Sequence, residues 1–438
     1  MKKFLLLLSF LFFQYASVAQ TWIPLGVGIG SGIVGAYINT MVFDSTHNYL
    51  YVGGNFSYAG DNPANSIAFW DGTEWNSLEI DTNYEGEYTK LLNYDDTILI
   101  ADPFGRILKL YDTSIVGRVS SLNGKIRDLI VYNGELYACG DFISDYDDHP
   151  LNKIARWNGE KWQSLGIGIQ GQYITSMNIY NGNLIVGGIF DKAGDSSMNN
   201  IAGWDGKNWF SLGKGITWTQ STAVVSAIEI YKNELYAGGV FDSAGNRFAK
   251  NIAKWNGANW DSVGAGLLGG VLSLLFKDSS LYVGGGFRTY GVYIGNRVAR
   301  WDGNHWFDLD LSTSGTVHDL IPFKGSVIAG GNFTNTNDGK TVNNIAEYST
   351  ITNTNYISPK AAKFYIYPNP ATDQLHIEAT NIHNATVNIL NLFGHVVLKQ
   401  QFSDNASIDI SNLPKGMYLI NIRDEKGNVL QTEKVVKQ

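Results

Sequence analysis

Trp70-Asp71-Gly72-Thr73-Glu74-Trp75 is the first of five nearly identical hexapeptides. The others are Trp157-Asn158-Gly159-Glu160-Lys161-Trp162, Trp204-Asp205-Gly206-Lys207-Asn208-Trp209, Trp255-Asn256-Gly257-Ala258-Asn259-Trp260 and Trp301-Asp302-Gly303-Asn304-His305-Trp306. Together they hold ten of the twelve tryptophans. Asp-Gly or Asn-Gly between hydrophobic stretches predicts a β-hairpin, because glycine supplies the positive φ that a tight turn needs. With Asp71-Gly72 as a two-residue turn, Trp70 lies opposite Thr73 and Trp75 opposite Ala68. Both indoles then project from one face, and the small alanine leaves room for the second.

Moving outward, each hexapeptide follows Ile/Val-Ala-x, as in Ile67-Ala68-Phe69 and Val298-Ala299-Arg300. Further upstream stands Gly-Gly-x-Phe, in copies such as Gly53-Gly54-Asn55-Phe56 and Gly330-Gly331-Asn332-Phe333. Downstream comes Ser-Leu-Gly or a close relative. One copy is degraded, with Ala101-Asp102-Pro103-Phe104 in place of the glycines and Tyr111-Asp112-Thr113-Ser114 in place of the tryptophan pair. Counting it, seven phenylalanines (56, 104, 142, 190, 241, 287 and 333) recur 38 to 51 residues apart. Four short strands, a to d, in a period of that length predict a propeller rather than a solenoid.

Trp22-Ile23-Pro24-Leu25-Gly26 matches the last strand of a unit, and the seventh unit stops one strand short at Ile345-Ala346-Glu347-Tyr348. The expectation is therefore an all-β, seven-bladed β-propeller over residues 20–350, closed by the N-terminal strand, with Trp22 beside Tyr348. The double glycine and later aromatics resemble those of kelch-like and galactose-oxidase-like propellers. In such a blade the a–b and c–d turns are tight. The long b–c and d–a links emerge together at the other end, where a specific site is expected.

A formal net charge of -8, with residues 363–438 balanced, places the acidic excess in the main body, which argues against nucleic acid or an anionic membrane as partner. Lys2-Lys3, the apolar run Phe4–Phe13 and the small residues Ser17-Val18-Ala19 read as a secretory signal over 1–19. No other stretch approaches a transmembrane span. No cysteine follows the expected cleavage site to carry a lipid, and the lone Cys139, where other copies have Gly or Ala, is expected to be a small buried filler.

After a polar linker (351–362), the composition changes. Residues 363–438 contain no Trp and show period-2 alternation in short strands, which predicts a small Ig-like β-sandwich. Tyr367-Pro368-Asn369-Pro370, Ile389 to Gly394, Leu413-Pro414-Lys415-Gly416-Met417-Tyr418 and the basic end Lys434 to Lys437 resemble the type A C-terminal sorting domain of the Bacteroidota type IX secretion system. The resemblance implies sorting-motif roles for Pro368, Asn369, Pro370, Gly394, Gly416, Tyr418, Lys434 and Lys437. It also implies the type IX machinery as partner, and release or surface attachment after export.

The histidines His47 and His305 fall in the tight turns, on the wrong face for a copper site, and Cys139 lies inside a strand. A copper oxidase is therefore not expected, and no cofactor or metal is called for. Asp145-Tyr146-Asp147-Asp148-His149 is the densest acidic cluster of the long links, without the glycine and terminal glutamate of an EF-type loop. Trp218 stands outside the repeat in a d–a link, and Tyr290 and Tyr293 lie in a b–c link. Exposed aromatics suit stacking on sugars or anchoring a protein. Trp218, Tyr290, Tyr293, Asp145, Asp147 and His149 are thus the candidate ligand-binding residues of a non-catalytic binding protein for a glycan or protein. The alternative is a carbohydrate-active hydrolase or lyase using the acidic links.

Overall fold

The computed structural model describes residues 20–30, 35–78, 80, 87–119, 121–288, 295–312, 314–350, 363–380, 385–391, 396–403, 405–423 and 429–438. The chain forms two units, Met1–Thr350 and Ile351–Gln438, and no helix occurs among the described residues. The expected leader and linker lie outside those residues.

The tryptophan hexapeptide is a hairpin, but its turn has four residues rather than two. Trp70 pairs directly with Trp75, and Ala68 with Ser77. The same Trp–Trp pairing recurs in the other four copies. The reason lies in the side chain at the second position. Asp71 Oδ1 accepts the Thr73 and Glu74 N–H groups at 2.7 and 2.8 Å, and Asn158, Asp205, Asn256 and Asp302 do the same in their loops. Only an acceptor oxygen is needed, so Asp and Asn interchange. Gly72 follows at φ 104°, which an L side chain adopts only with strain. The paired indoles lie 5.0–5.4 Å apart, and such a pair contributes about 0.5–1.5 kcal/mol beyond its buried area. The degraded copy does make a two-residue turn, pairing Tyr111 with Ser114.

Among the described residues, unit 1 contains seven antiparallel four-strand paths. Numbered as sheets 1 to 7, their first strands are Tyr37–Asp44, Lys90–Tyr94, Ile126–Tyr132, Ile169–Tyr180, Val224–Tyr231, Val271–Lys277 and Val317–Phe323. Each first strand packs against that of the next sheet, and Val317–Phe323 packs against Tyr37–Asp44. The outermost strand of sheet 7 is Gln20–Pro24, paired with Ile345–Thr350 so that Trp22 faces Tyr348 with rings 5.0 Å apart.

The outer tryptophan of four of the five pairs is seen to join neighbouring sheets. Trp75 Nε1 donates to the Leu25 carbonyl at 2.9 Å, Trp209 to Leu165, Trp260 to Leu212 and Trp306 to Val263. Trp22 donates to Leu309 at 2.7 Å. Each acceptor lies in the link leaving the preceding sheet, which gives the recurring Leu-Gly its role. A Cβ on Gly26 would sit 2.7 Å from the Trp70 ring.

The double glycine answers to two different neighbours. Opposite the second glycine, the first strand carries a β-bulge, as between Ile38 and Thr40 or Val225 and Ala227. A Cβ on Gly54 or Gly239 would lie 2.1 or 1.9 Å from the carbonyl oxygen of Tyr37 or Val224. The first glycine meets the next sheet instead, with Gly238 facing Val271 and Gly330 facing Met41. Cys139 takes this first-glycine position in sheet 3, fully buried, and burial pushes its thiol pKa well up. Six of the seven recurring phenylalanines are buried. Phe104 is the exception at 57 % exposure, because its copy has lost the glycine bulge and turns out through the short Asp102–Arg106 loop.

The long links emerge together and pair with one another. Ile29–Gly30 pairs with Tyr58–Ala59, Ile216–Thr217 with Ser243–Ala244, and Ile169 with Ala193.

In unit 2, Lys363–Tyr367, Gln374–Thr380 and Asn405–Asp409 form one sheet. Val396–Phe402, Ala385–Leu390, Gly416–Arg423 and Val429–Lys437 form another. Phe364, Leu375, Ile377 and Ile408 from the first share an apolar core with Val387, Ile389, Ile420, Ile422 and Val435 from the second.

Gly239→Ala is expected to destabilise the protein by about 1–3 kcal/mol, since the strand-a carbonyl must move. Gly117→Ala, with nothing within 4 Å of the new methyl, should stay within about 0.5 kcal/mol. Melting temperatures by calorimetry check both.

Candidate functional site

The first strands bring a ring of polar side chains to the centre of unit 1. Just after the bulge, Thr40 Oγ1 accepts the Leu91 N–H at 3.0 Å, Asp128 Oδ2 accepts Met177 at 2.7 Å and Ser176 Oγ accepts Ile228 at 3.2 Å. Ser273 Oγ accepts Leu320 at 3.0 Å, and Asp319 Oδ2 accepts Met41 at 2.8 Å. Each bond crosses to the first strand of the next sheet, the last from sheet 7 to sheet 1. Lys90 Nζ lies 2.7 Å from Asp128 Oδ1. Burial lowers the Lys90 pKa, but Asp128 and then Asp319 outweigh it and hold the ammonium above its ordinary value. Burial raises Asp319 to about 6, against the pull of Lys90 and two backbone N–H groups. About a third of the Lys90 side chain remains accessible (32 %), so the cluster is enclosed without being dry. Sequence reasoning missed this ring. Its signal is a polar residue in a fixed place within an apolar strand, as in Ile38-Asn39-Thr40-Met41, Ile126-Arg127-Asp128-Leu129 and Val317-His318-Asp319-Leu320.

At the start of the same strands, on the end carrying the long links, a second set gathers. Glu87 Oε1 accepts from Asn39 Nδ2 at 2.5 Å and from Lys125 Nζ at 3.2 Å. Arg127 NH2 lies 3.4 Å from Asp141 Oδ2, and its guanidinium stands 4.1 Å over the Tyr173 ring. Asp141 also accepts the Lys125 N–H at 2.7 Å. Tyr37 meets the His318 ring edge-on at 5.8 Å, and His318 Nδ1 is 2.9 Å from the Ile38 carbonyl. Burial lowers the His318 pKa, so its imidazole is neutral at pH 7. Four sheets and three links thus place three rings, two cations and two carboxylates at the mouth of the ring's centre.

The residues expected from sequence lie elsewhere on the long-link end. Asp145, Asp147 and His149 come together, with one ligand atom of each within 4.8 Å of the others. Asp145 is buried and already accepts from the Asp147 and His149 N–H groups and from His149 Nδ1 at 2.9 Å. Burial raises its pKa, but these hydrogen bonds prevail and hold it below the ordinary value. Beside them Tyr146, 62 % exposed, donates its hydroxyl to the Phe104 carbonyl at 3.3 Å. Trp218 is half-buried, packed on the apolar cluster that includes Phe241, Trp255 and Trp260. Tyr290 and Tyr293 lie outside the described residues.

In unit 2, motifs about sixty-five positions apart in sequence meet. Asn369 Nδ2 donates to the Lys434 carbonyl at 2.8 Å, and Asn369 Oδ1 accepts the Val436 N–H at 3.1 Å. Ala371, directly after Pro370, bridges to Lys437, whose Nζ is 3.5 Å from Asp373. Gly416 pairs with Lys437, and Tyr418 donates its hydroxyl to the Pro414 carbonyl at 2.8 Å. Gly394 lies outside the described residues.

The family model described as "Secretion system C-terminal sorting domain" matches residues 365–438. Unit 2 carries a C-terminal sorting domain. The sorting domain makes this a type IX secretion substrate, secreted or attached at the outer-membrane surface. The chain is 32 % identical over 80 residues to the endo-acting ulvan lyase of Formosa agariphila and 36 % identical over 76 residues to beta-agarase D of Zobellia galactanivorans. These matches cover 18 and 17 % of this chain and 15 % of either enzyme, so they extend little further than the sorting domain's own length. Two crystal structures of the extracellular domain of BT4673 from B. thetaiotaomicron are 13 % identical, with TM-scores of 0.52 and 0.53. They cover 96 % of this chain and 58 and 59 % of theirs. That likeness shows a propeller-like all-β fold.

Asp319 has a folded-state pKa above its unfolded one, so its ionisation penalises the fold. The penalty is absent below about pH 4 and complete above about pH 6. Asp319→Asn keeps an acceptor for Met41 and should raise stability at pH 7.5 by about 1–3 kcal/mol. The gain should vanish near pH 4, as read from melting temperatures across pH. Asn369→Ala removes two bonds between distant motifs and should destabilise the sorting domain by about 1–3 kcal/mol. Its effect on export is read as the fraction of protein reaching the medium or cell surface.

Proposed function

We propose that residues 20–350 form a seven-bladed propeller, closed through Gln20–Pro24, which binds a glycan or protein partner on its long-link face without catalysis. The C-terminal domain, Ig-like in this reading, directs type IX export after a signal peptide over 1–19 has delivered the chain to the periplasm. The binding reading rests on one observation, the convergence of rings and paired charges at the mouth of the ring's centre. A binding site needs stacking surface together with groups that both donate and accept hydrogen bonds. Glu87 and Asp141 each face a cation, at 3.2 and 3.4 Å, which suits holding a ligand better than moving a proton.

The test is a glycan array and a surface pull-down with the purified chain, alongside Trp218→Ala and Asp147→Ala variants. Binding to at least one glycan or one surface protein is expected, with no reducing ends released from mixed polysaccharides. Reducing-end release that disappears in Asp147→Ala would overturn the non-catalytic reading. An absence of any bound glycan or protein would overturn the binding one.

A further inference from the structure

We propose that the mouth formed by Tyr37, Glu87, Lys125, Arg127, Tyr173 and His318 is a saccharide site that takes an uncharged sugar. This rests on the reading that the long-link face binds ligands, and it fixes where on that face and for which chemistry.

The charges decide the class. Lys125 faces Glu87 at 3.2 Å and Arg127 faces Asp141 at 3.4 Å, so the mouth offers no net charge of either sign. Behind it Asp128 and Asp319 outnumber Lys90, and the chain as a whole carries -8. An anionic chain would meet this acidic excess with both cations already engaged. A basic peptide would have to pull Glu87 from Lys125 and Asn39. Hydroxyl groups need neither separation. A carboxylate oxygen has lone pairs beyond one ion pair, and an ammonium or guanidinium has further N–H groups. Vicinal hydroxyls, which donate and accept, can therefore bond to both partners of an intact pair.

The rings supply the remainder. Tyr37 and Tyr173 are half-buried, and Tyr173 is fixed beneath Arg127 at 4.1 Å. Tyr37 is steadied by the edge of a His318 ring that stays uncharged at pH 7. Rigid aromatic rings beside paired polar groups fit a sugar, which has an apolar C–H face and a hydroxylated rim.

Isothermal titration of the intact chain tests this with cellohexaose, mannohexaose and laminarihexaose as neutral probes and an alginate hexamer as the anionic one. At least one neutral hexasaccharide should bind, at least ten-fold more tightly than the alginate hexamer. Arg127→Gln and Glu87→Gln should each weaken it ten-fold or more, while Trp218→Ala leaves it unchanged. Circular dichroism and melting temperature report whether the variants fold. If Arg127→Gln disturbs its strand, Glu87→Gln, on a link, decides. Preference for alginate, or no binding by any neutral probe, overturns the proposal. Neutral-sugar binding that survives both mouth variants but falls in Trp218→Ala overturns this site and leaves the face reading standing.

Discussion

An indole N–H reaching back to a carbonyl of the sheet before it is the bond on which unit 1 depends. A four-stranded sheet of this size cannot bury both its faces alone, so its stability comes from its neighbours. The outer tryptophan does two things at once. It stacks on its partner within the sheet, and it donates to a carbonyl in the preceding link that also accepts the N–H of the glycine three residues on, as Leu25 does from Gly28 at 3.2 Å. Trp22 makes the same bond to Leu309 from the other end of the sequence, and Tyr348 replaces the inner tryptophan beside it. A strand joined by sequence to sheet 1 thus follows the rule of sheet 7.

Inside this outer ring of indoles runs an inner ring of short polar side chains, each accepting an N–H from the next first strand. The bulge makes both possible. It shifts one residue of the first strand, turns the polar side chain toward the neighbouring sheet, and presses a carbonyl against the second glycine. Where the glycine pair is lost, in the copy around Ala101 and Asp102, the strand pairs without a register shift and Phe104 turns outward.

Much of this was legible in the residues. The strand count, the glycine positions and the pairing of Trp22 with Tyr348 follow from spacing, because a repeat displays its period directly. The turn differs from its expected length because Asp-Gly carries two signals. Glycine speaks for a two-residue turn, whereas the aspartate oxygen captures two backbone N–H groups and stretches the loop to four. The mouth was harder to read. Tyr37, Glu87, Arg127 and Tyr173 are far apart in sequence and converge only once the sheets form a ring, and none is conspicuous in its own strand. The acidic run at Asp145 is conspicuous because it is contiguous, yet much of its hydrogen-bonding capacity is spent on its own loop. In the sorting domain the motifs were plain, but the bonds from Asn369 to the last strand were not, since a linear motif does not say what it touches.

Cys139 gives this architecture an internal clock. As a fully buried thiol in the slot that glycine fills elsewhere, with burial disfavouring the thiolate, it is closed to alkylating reagents while sheets 3 and 4 stay in register. Any modification it acquires therefore dates a moment when that seam parted, and the pace of labelling measures how often the wheel opens there.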